Sequence, residues 1–153
     1  MEAAEATATK TLDSLEALQH EAGVFAATLS PKAGNATLVT LSGELGAGKT
    51  SFTQGLACAF GIEESVTSPT FVLEKIYELP EATSRGFTRL IHIDAYRLEG
   101  ENSLTPLGFD ELMQDPKNLV VLEWPELVTS QLPAADASIT LTVVPEGRAI
   151  SYA

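Results

Sequence analysis

One octapeptide constrains this chain more than any other feature. Gly43-Glu44-Leu45-Gly46-Ala47-Gly48-Lys49-Thr50 matches the pattern G-x-x-x-x-G-K-[ST]. A short β-prone run, Thr37 to Leu41, precedes it. A helical pattern follows from Lys49, with Phe52, Leu56 and Phe60 (or Ala59) on one face and Gly61 where a C-cap would stand. Strand, glycine-rich turn and helix in that order form a phosphate cradle. The glycines let backbone N–H groups turn inward around phosphate oxygens. The helix that opens there aims the positive end of its dipole at the same anion. Lys49 is placed to reach the β- and γ-phosphates, and the Thr50 hydroxyl to ligate magnesium. The expectation is a magnesium-dependent nucleotide-binding protein of the P-loop kind.

The remaining pattern fits one α/β domain. Residues 1–10 are small and polar and read as a frayed N-terminus; 11–153 read as a single domain. Leu12, Leu15, Leu18, Ala22, Phe25 and Leu29 recur at helical spacing, Asp13 and Glu16 offer a capping pair, and Pro31 and Gly34 end the pattern. Phe71–Leu79 and Phe87–Asp94 alternate as strands around Pro80–Gly86, which reads as a hairpin. Glu101–Asp115 reads as irregular or partly helical. Leu119–Leu122 is an unbroken apolar run, as in a strand covered on both faces. Ile139–Val144 and Ala149–Tyr152 flank Pro145-Glu146-Gly147, a second hairpin. Alternating strands and helices predict an α/β fold around a central sheet.

A P-loop site needs a carboxylate for its metal. Two apolar strands end in acids: Leu90-Ile91-His92-Ile93-Asp94 and Leu119-Val120-Val121-Leu122-Glu123. Ligands of open α/β sheets sit outside the carboxyl ends of the strands, so both acids are placed to face the phosphates. Glu123 ends the more continuously apolar strand and is assigned to the metal; Asp94 is assigned to the nucleophilic water or the outer metal shell. Thr67-Ser68-Pro69-Thr70-Phe71 reads either as a γ-phosphate sensor, as in switch loops, or as an ordinary turn with proline-fixed geometry. Trp124 and Cys58 read as core packing, and His92 as a strand residue.

The net charge of −12 repels phosphate backbones, so tight binding of nucleic acid by this chain is not expected. The start Met-Glu-Ala-Ala-Glu is acidic and unlike a secretory signal. No apolar run approaches the roughly 18 residues of a membrane span. The single cysteine fits a reducing compartment. The expected location is therefore the cytoplasm.

Four segments in order complete a resemblance: Gly43–Thr50, Ser68-Pro69-Thr70-Phe71, His92-Ile93-Asp94-Ala95-Tyr96-Arg97-Leu98 and Leu122-Glu123-Trp124-Pro125. Together they resemble the TsaE family of bacterial ATPases, which act in making threonylcarbamoyladenosine in tRNA. The resemblance runs from about Leu12 to Arg148. It implies a small P-loop NTPase domain of the α/β class, with a central, mainly parallel sheet, antiparallel hairpins and flanking helices. It implies ATP and Mg²⁺ as ligands. It implies a complex with two partner proteins that transfer the threonylcarbamoyl group to adenosine 37, so that tRNA is met only indirectly. By motif match, Gly43, Gly46, Ala47, Gly48, Lys49, Thr50 and Ser51 surround the phosphates, Thr50 and Glu123 bind magnesium, and Lys49 and Asp94 serve catalysis. Arg148 and Glu126 fall at nucleotide-proximal positions. The sequence departs mildly from the family pattern at Glu44, where Asp is usual. The alternative function is a small-molecule or nucleotide kinase. It needs an arginine lid, for which Arg85 and Arg89 are the only candidates. A GTPase is disfavoured, because Asp115-Pro116-Lys117-Asn118 does not match the guanine-reading motif.

Overall fold

A computed structural model describes residues 8–63, 73–98, 100 and 102–153. The main elements in chain order are β1 (Ala8–Leu12), α1 (Leu15–Ala26), β2 (Thr37–Ser42), α2 (Lys49–Ala59), β3 (Glu74–Glu78), β4 (Arg89–Asp94), α3 (Phe109–Met113), β5 (Asn118–Glu123), β6 (Ala137–Val144) and β7 (Gly147–Tyr152). The strands form one sheet in the order β1-β7-β6-β2-β5-β4-β3. Its middle strands, β6, β2, β5 and β4, run parallel. The two expected hairpins, β3–β4 and β6–β7, are antiparallel, and β1 adds antiparallel to β7. Around the middle strands the architecture is therefore the mixed α/β sheet that the sequence pattern called for.

The parallel strands are apolar because both faces are covered. In β5, Leu119 and Val121 face the cluster that contains Leu18, Phe25, Phe52 and Leu56 from α1 and α2. Val120 and Leu122 face the opposite cluster, with Phe109 and Met113 of α3. Every residue of β5 is buried as a result. Helix α1 turns Leu18, Glu21, Ala22, Phe25 and Ala26 inward, a stripe spaced by three and four residues.

Four sequence expectations change here. The frayed N-terminus does not extend to residue 10, because Ala8, Thr9 and Lys10 pair with Tyr152, Ser151 and Ile150 of β7. Residues 1–7 lie outside the described residues. Helix α1 starts at Leu15, not Leu12, and Leu12 ends β1 opposite Arg148. Its cap is Ser14, whose extended backbone lets the hydroxyl accept from Ala17 N at 3.0 Å, in place of the Asp13–Glu16 pair. Cys58 is exposed rather than packed in the core. It stands two residues beyond the inward-facing Leu56, about 200° round the helix. By contrast, Gly61 caps α2 as expected: its N–H bonds Cys58 O at 3.0 Å and Ile62 N–H bonds Ala57 O at 3.0 Å, closing a Schellman turn.

A polar clip holds β1 in place. Glu21, buried on α1, accepts from Lys10 Nζ at 3.1 Å and from the Tyr152 hydroxyl at 2.6 Å. Burial, then the bond to Glu21, pushes the Tyr152 phenol above its ordinary range. At the start of β7, Gly147 has φ +141°, and a Cβ there would lie 2.1 Å from the Leu12 carbonyl oxygen. Gly147→Ala is therefore expected to force β1 away from β7. Backbone strain of this kind costs about 1–3 kcal/mol, and in a domain of this size roughly 2–4 °C of Tm per kcal/mol. Thermal unfolding followed by circular dichroism checks it, and an unchanged Tm contradicts it.

Candidate functional site

Parallel strands leave their carboxyl ends in a row, and here that row meets the start of α2. A cavity of about 570 Å³ opens there. The loop supplies Gly46 and Gly48, α2 supplies Lys49, Thr50 and Ser51, β4 and β5 supply Asp94 and Glu123, and Arg148 comes from β7. Register explains the convergence of the acids: Asp94 stands opposite Glu123, and Glu123 opposite Leu41, which lies just before the loop. Sequence reasoning missed Leu15, Leu45 and Tyr96, which also line the cavity. Leu45 and Tyr96 sit inside the motif segments at positions to which no chemistry is assigned, and Leu15 sits in none.

The loop is shaped for an anion. Gly48 caps α2 with φ +107°, and a Cβ there would be 2.6 Å from the Leu18 side chain. No side chain caps the first N–H groups of α2, so they face the cavity as donors. Arg148 braces the loop from outside: its Nε donates to Ala47 O at 3.1 Å and an Nη donates to Gly46 O at 3.1 Å. Gly43 and Ala47 do not line the cavity; they build it. Gly43 O accepts from Lys49 Nζ, and Ala47 is fully buried.

Lys49 is buried, at 5 % exposure, rather than projecting freely towards ligand as its place at a helix start suggests. Its ammonium donates to the Gly43 and Glu44 carbonyls and lies 4.2 Å from the centre of the Trp124 ring. Burial lowers its pKa, opposed by the nearby charges of Glu123, Asp94, Glu126 and Glu44. Trp124 reaches this position because its backbone turns left-handed, φ 61° and ψ 50°, directly after β5. Its ring also contacts Tyr96, centroid to centroid 4.9 Å. Its place immediately after the strand-terminal acid was the available signal for a site role.

The same turn carries Glu126 out of the site. Glu126 is exposed and lines a separate depression with Thr40, Ser42 and Pro125, although its charge still acts on Lys49. The two arginines of the kinase alternative lie away from the cavity. Arg89 starts β4 whereas Asp94 ends it, roughly 16 Å away at 3.3 Å per residue. Arg89 is engaged by Asn118 and Asp115 at that far end, and Arg85 lies in the turn before it. The hydroxyl-rich segment at residues 67–71 lies outside the described residues.

The donor set fits magnesium. Thr50 and Glu123 offer hard oxygen ligands beside the glycine-rich loop, a donor set that suits magnesium when it keeps several waters and shares substrate phosphates. Among the described residues, no three His, Cys, Asp or Glu gather into an all-protein metal cage.

A family model described as TsaE, threonylcarbamoyl adenosine biosynthesis protein, matches residues 12–150. The chain belongs to the TsaE family. It is 39% identical over 111 residues to the tRNA threonylcarbamoyladenosine biosynthesis protein TsaE of Treponema pallidum, covering 72% of this chain and 76% of the relative. It is 33% identical over 138 residues to that of Rickettsia bellii, covering 90% and 88%. The crystal structure of YdiB from Bacillus subtilis superposes with a TM-score of 0.72 at 29% identity, over 95% of this chain and 82% of that one. The family match runs from the end of β1 into β7, and so takes in every cavity-lining residue named above.

Proposed function

We propose that this chain is the Mg²⁺-dependent ATPase of a complex that installs threonylcarbamoyl on adenosine 37 of tRNA, and that its P-loop NTPase fold gates turnover of the partner transferase. One observation carries the ATPase reading. The capping loop of α2, the buried Lys49 and the paired acids Asp94 and Glu123 all face one cavity. The names of the relatives supply the tRNA modification.

In this reading the α2 N–H groups and Lys49 bind the phosphates, and Lys49 stabilises charge developing on the γ-phosphoryl oxygens. Thr50 and Glu123 hold magnesium, which when bound supplies charge neutralisation at the phosphates. Asp94 orients the attacking water. Its carboxylate is itself fixed, with one oxygen accepting from Tyr96 N at 3.0 Å. Arg97 lines the cavity and Arg148 grips loop carbonyls. Two partner proteins supply the basic tRNA surface that a chain of net charge −12 lacks. The complex works in the cytoplasm. Among the described residues no helix is long and apolar enough to cross a membrane.

The purified chain is expected to bind ATP and ADP with magnesium and GTP more weakly, to hydrolyse ATP slowly alone, and to change rate on adding its partners. A stabilising arginine provided in trans is worth about 10³–10⁵ in rate. Calorimetry and phosphate release check this. Tighter binding of GTP, or fast turnover indifferent to partners, refutes it.

A further inference from the structure

The proposed ATPase leaves the buried His92 unused. His92 lies in β4 between Ile91 and Ile93 and is fully buried. Its Nε2 lies 2.6 Å from Glu123 Oε2, across the β4–β5 ladder. Its Nδ1 is buried and has no hydrogen-bond partner among the described residues. An orphaned buried nitrogen is costly. An apolar residue between two isoleucines would avoid that cost, so packing alone does not account for an imidazole here. What the imidazole gives is one directed bond to one oxygen of the Glu123 carboxylate.

We propose that His92 is a positioning residue for the metal site: it fixes the Glu123 carboxylate so that Oε1 is left to ligate magnesium. The inference rests on the reading of Glu123 as the metal ligand. A ligating carboxylate is ionised and only accepts, so Nε2 carries the proton and donates. The bond has two consequences. It removes the rotational freedom of a carboxylate at the end of a strand, and it engages Oε2, so that the two oxygens are no longer equivalent. Carboxylates on metals are commonly held by such outer partners, whose loss costs about 10–100-fold in metal affinity. His92 touches neither nucleotide nor metal; it acts through Glu123.

Two measurements test this. In the nucleotide-free protein, ¹⁵N-resolved imidazole NMR is expected to find His92 as the Nε2–H tautomer, with His20, the only other histidine, removed by His20→Ala. The Nδ1–H tautomer overturns the proposal without any substitution at the site. In the second, ATP binding is titrated against Mg²⁺ for the parent, His92→Leu, His92→Gln and Glu123→Gln. His92→Leu is expected to raise the Mg²⁺ requirement about 10–100-fold while leaving metal-free binding alone. His92→Gln, whose amide nitrogen reaches the Nε2 position, is expected to recover most of that loss. If Glu123→Gln loses magnesium dependence and a folded His92→Leu shows the parent's Mg²⁺ requirement, positioning by His92 fails alone. If Glu123→Gln keeps it as well, the metal-ligand reading fails and takes this inference with it.

Discussion

Replacing Lys49 with alanine is expected to lower ATP hydrolysis at least about 10²–10³-fold, the typical effect of removing one group that stabilises transition-state charge. Triphosphate affinity falls less. A hydrogen bond to a charged group is worth about 1.5–3 kcal/mol, which is roughly 10–100-fold in Kd. The ammonium is held by the Gly43 and Glu44 carbonyls beneath Trp124, at the start of α2. Phosphate oxygens bear full charge and outcompete neutral carbonyls for such a donor. The domain is expected to stay folded. Truncation loses the carbonyl bonds and a cation–π contact of roughly 1 kcal/mol, but it also removes a charge whose burial is unfavourable, as the lowered pKa records. Lys49→Arg is expected to fail in the same assays, because a planar guanidinium does not fit a point-charge position between the indole and the loop. Phosphate release, calorimetry and circular dichroism together check this. A Lys49→Ala variant that turns over ATP at the parent rate removes the assignment.

Much of this was legible in the sequence because periodicity and glycine chemistry act locally. The loop, the strand before it, the helix after it and the cap at Gly61 follow from spacing alone. The two acids were visible as strand ends, although only the sheet order shows that Glu123 lies beside β2, the strand before the glycine-rich loop, and Asp94 one strand further out. The misses depend on distant partners. Strand β1 exists because β7 offers it an edge, and Glu21 is buried because Lys10 and Tyr152 satisfy it. Glu126, expected near the nucleotide on motif position, is exposed beyond a left-handed residue before Pro125, in a depression beside the cavity from which its charge still acts on Lys49. That turn places Trp124 over Lys49, and no composition rule foresees a tryptophan with positive φ. His92 looked like one more strand residue because its partner is 31 residues away.

The two acids are expected to fail differently. Glu123 ends β5, next to β2, and is 3 % exposed with one oxygen held by His92. Glu123→Gln removes a negative charge from the ligand set, so nucleotide affinity is expected to lose its magnesium dependence. Asp94 ends β4, one strand further from the loop, and its Oδ1 is fixed by the Tyr96 amide. Asp94→Asn keeps size and that accepting oxygen but loses base character. Nucleotide and magnesium binding should survive, while turnover falls by about 10²–10⁴, the usual worth of a positioned acid–base group. Since Asp94 and Glu123 are register neighbours, each substitution also changes the field at the other, and binding and turnover must be measured on both variants. Affinity with and without magnesium, set beside the hydrolysis rate, separates the roles. If Asp94→Asn abolishes the magnesium dependence and Glu123→Gln leaves it intact, the assignment is reversed: the outer acid then binds the metal, and the one held by His92 handles the water.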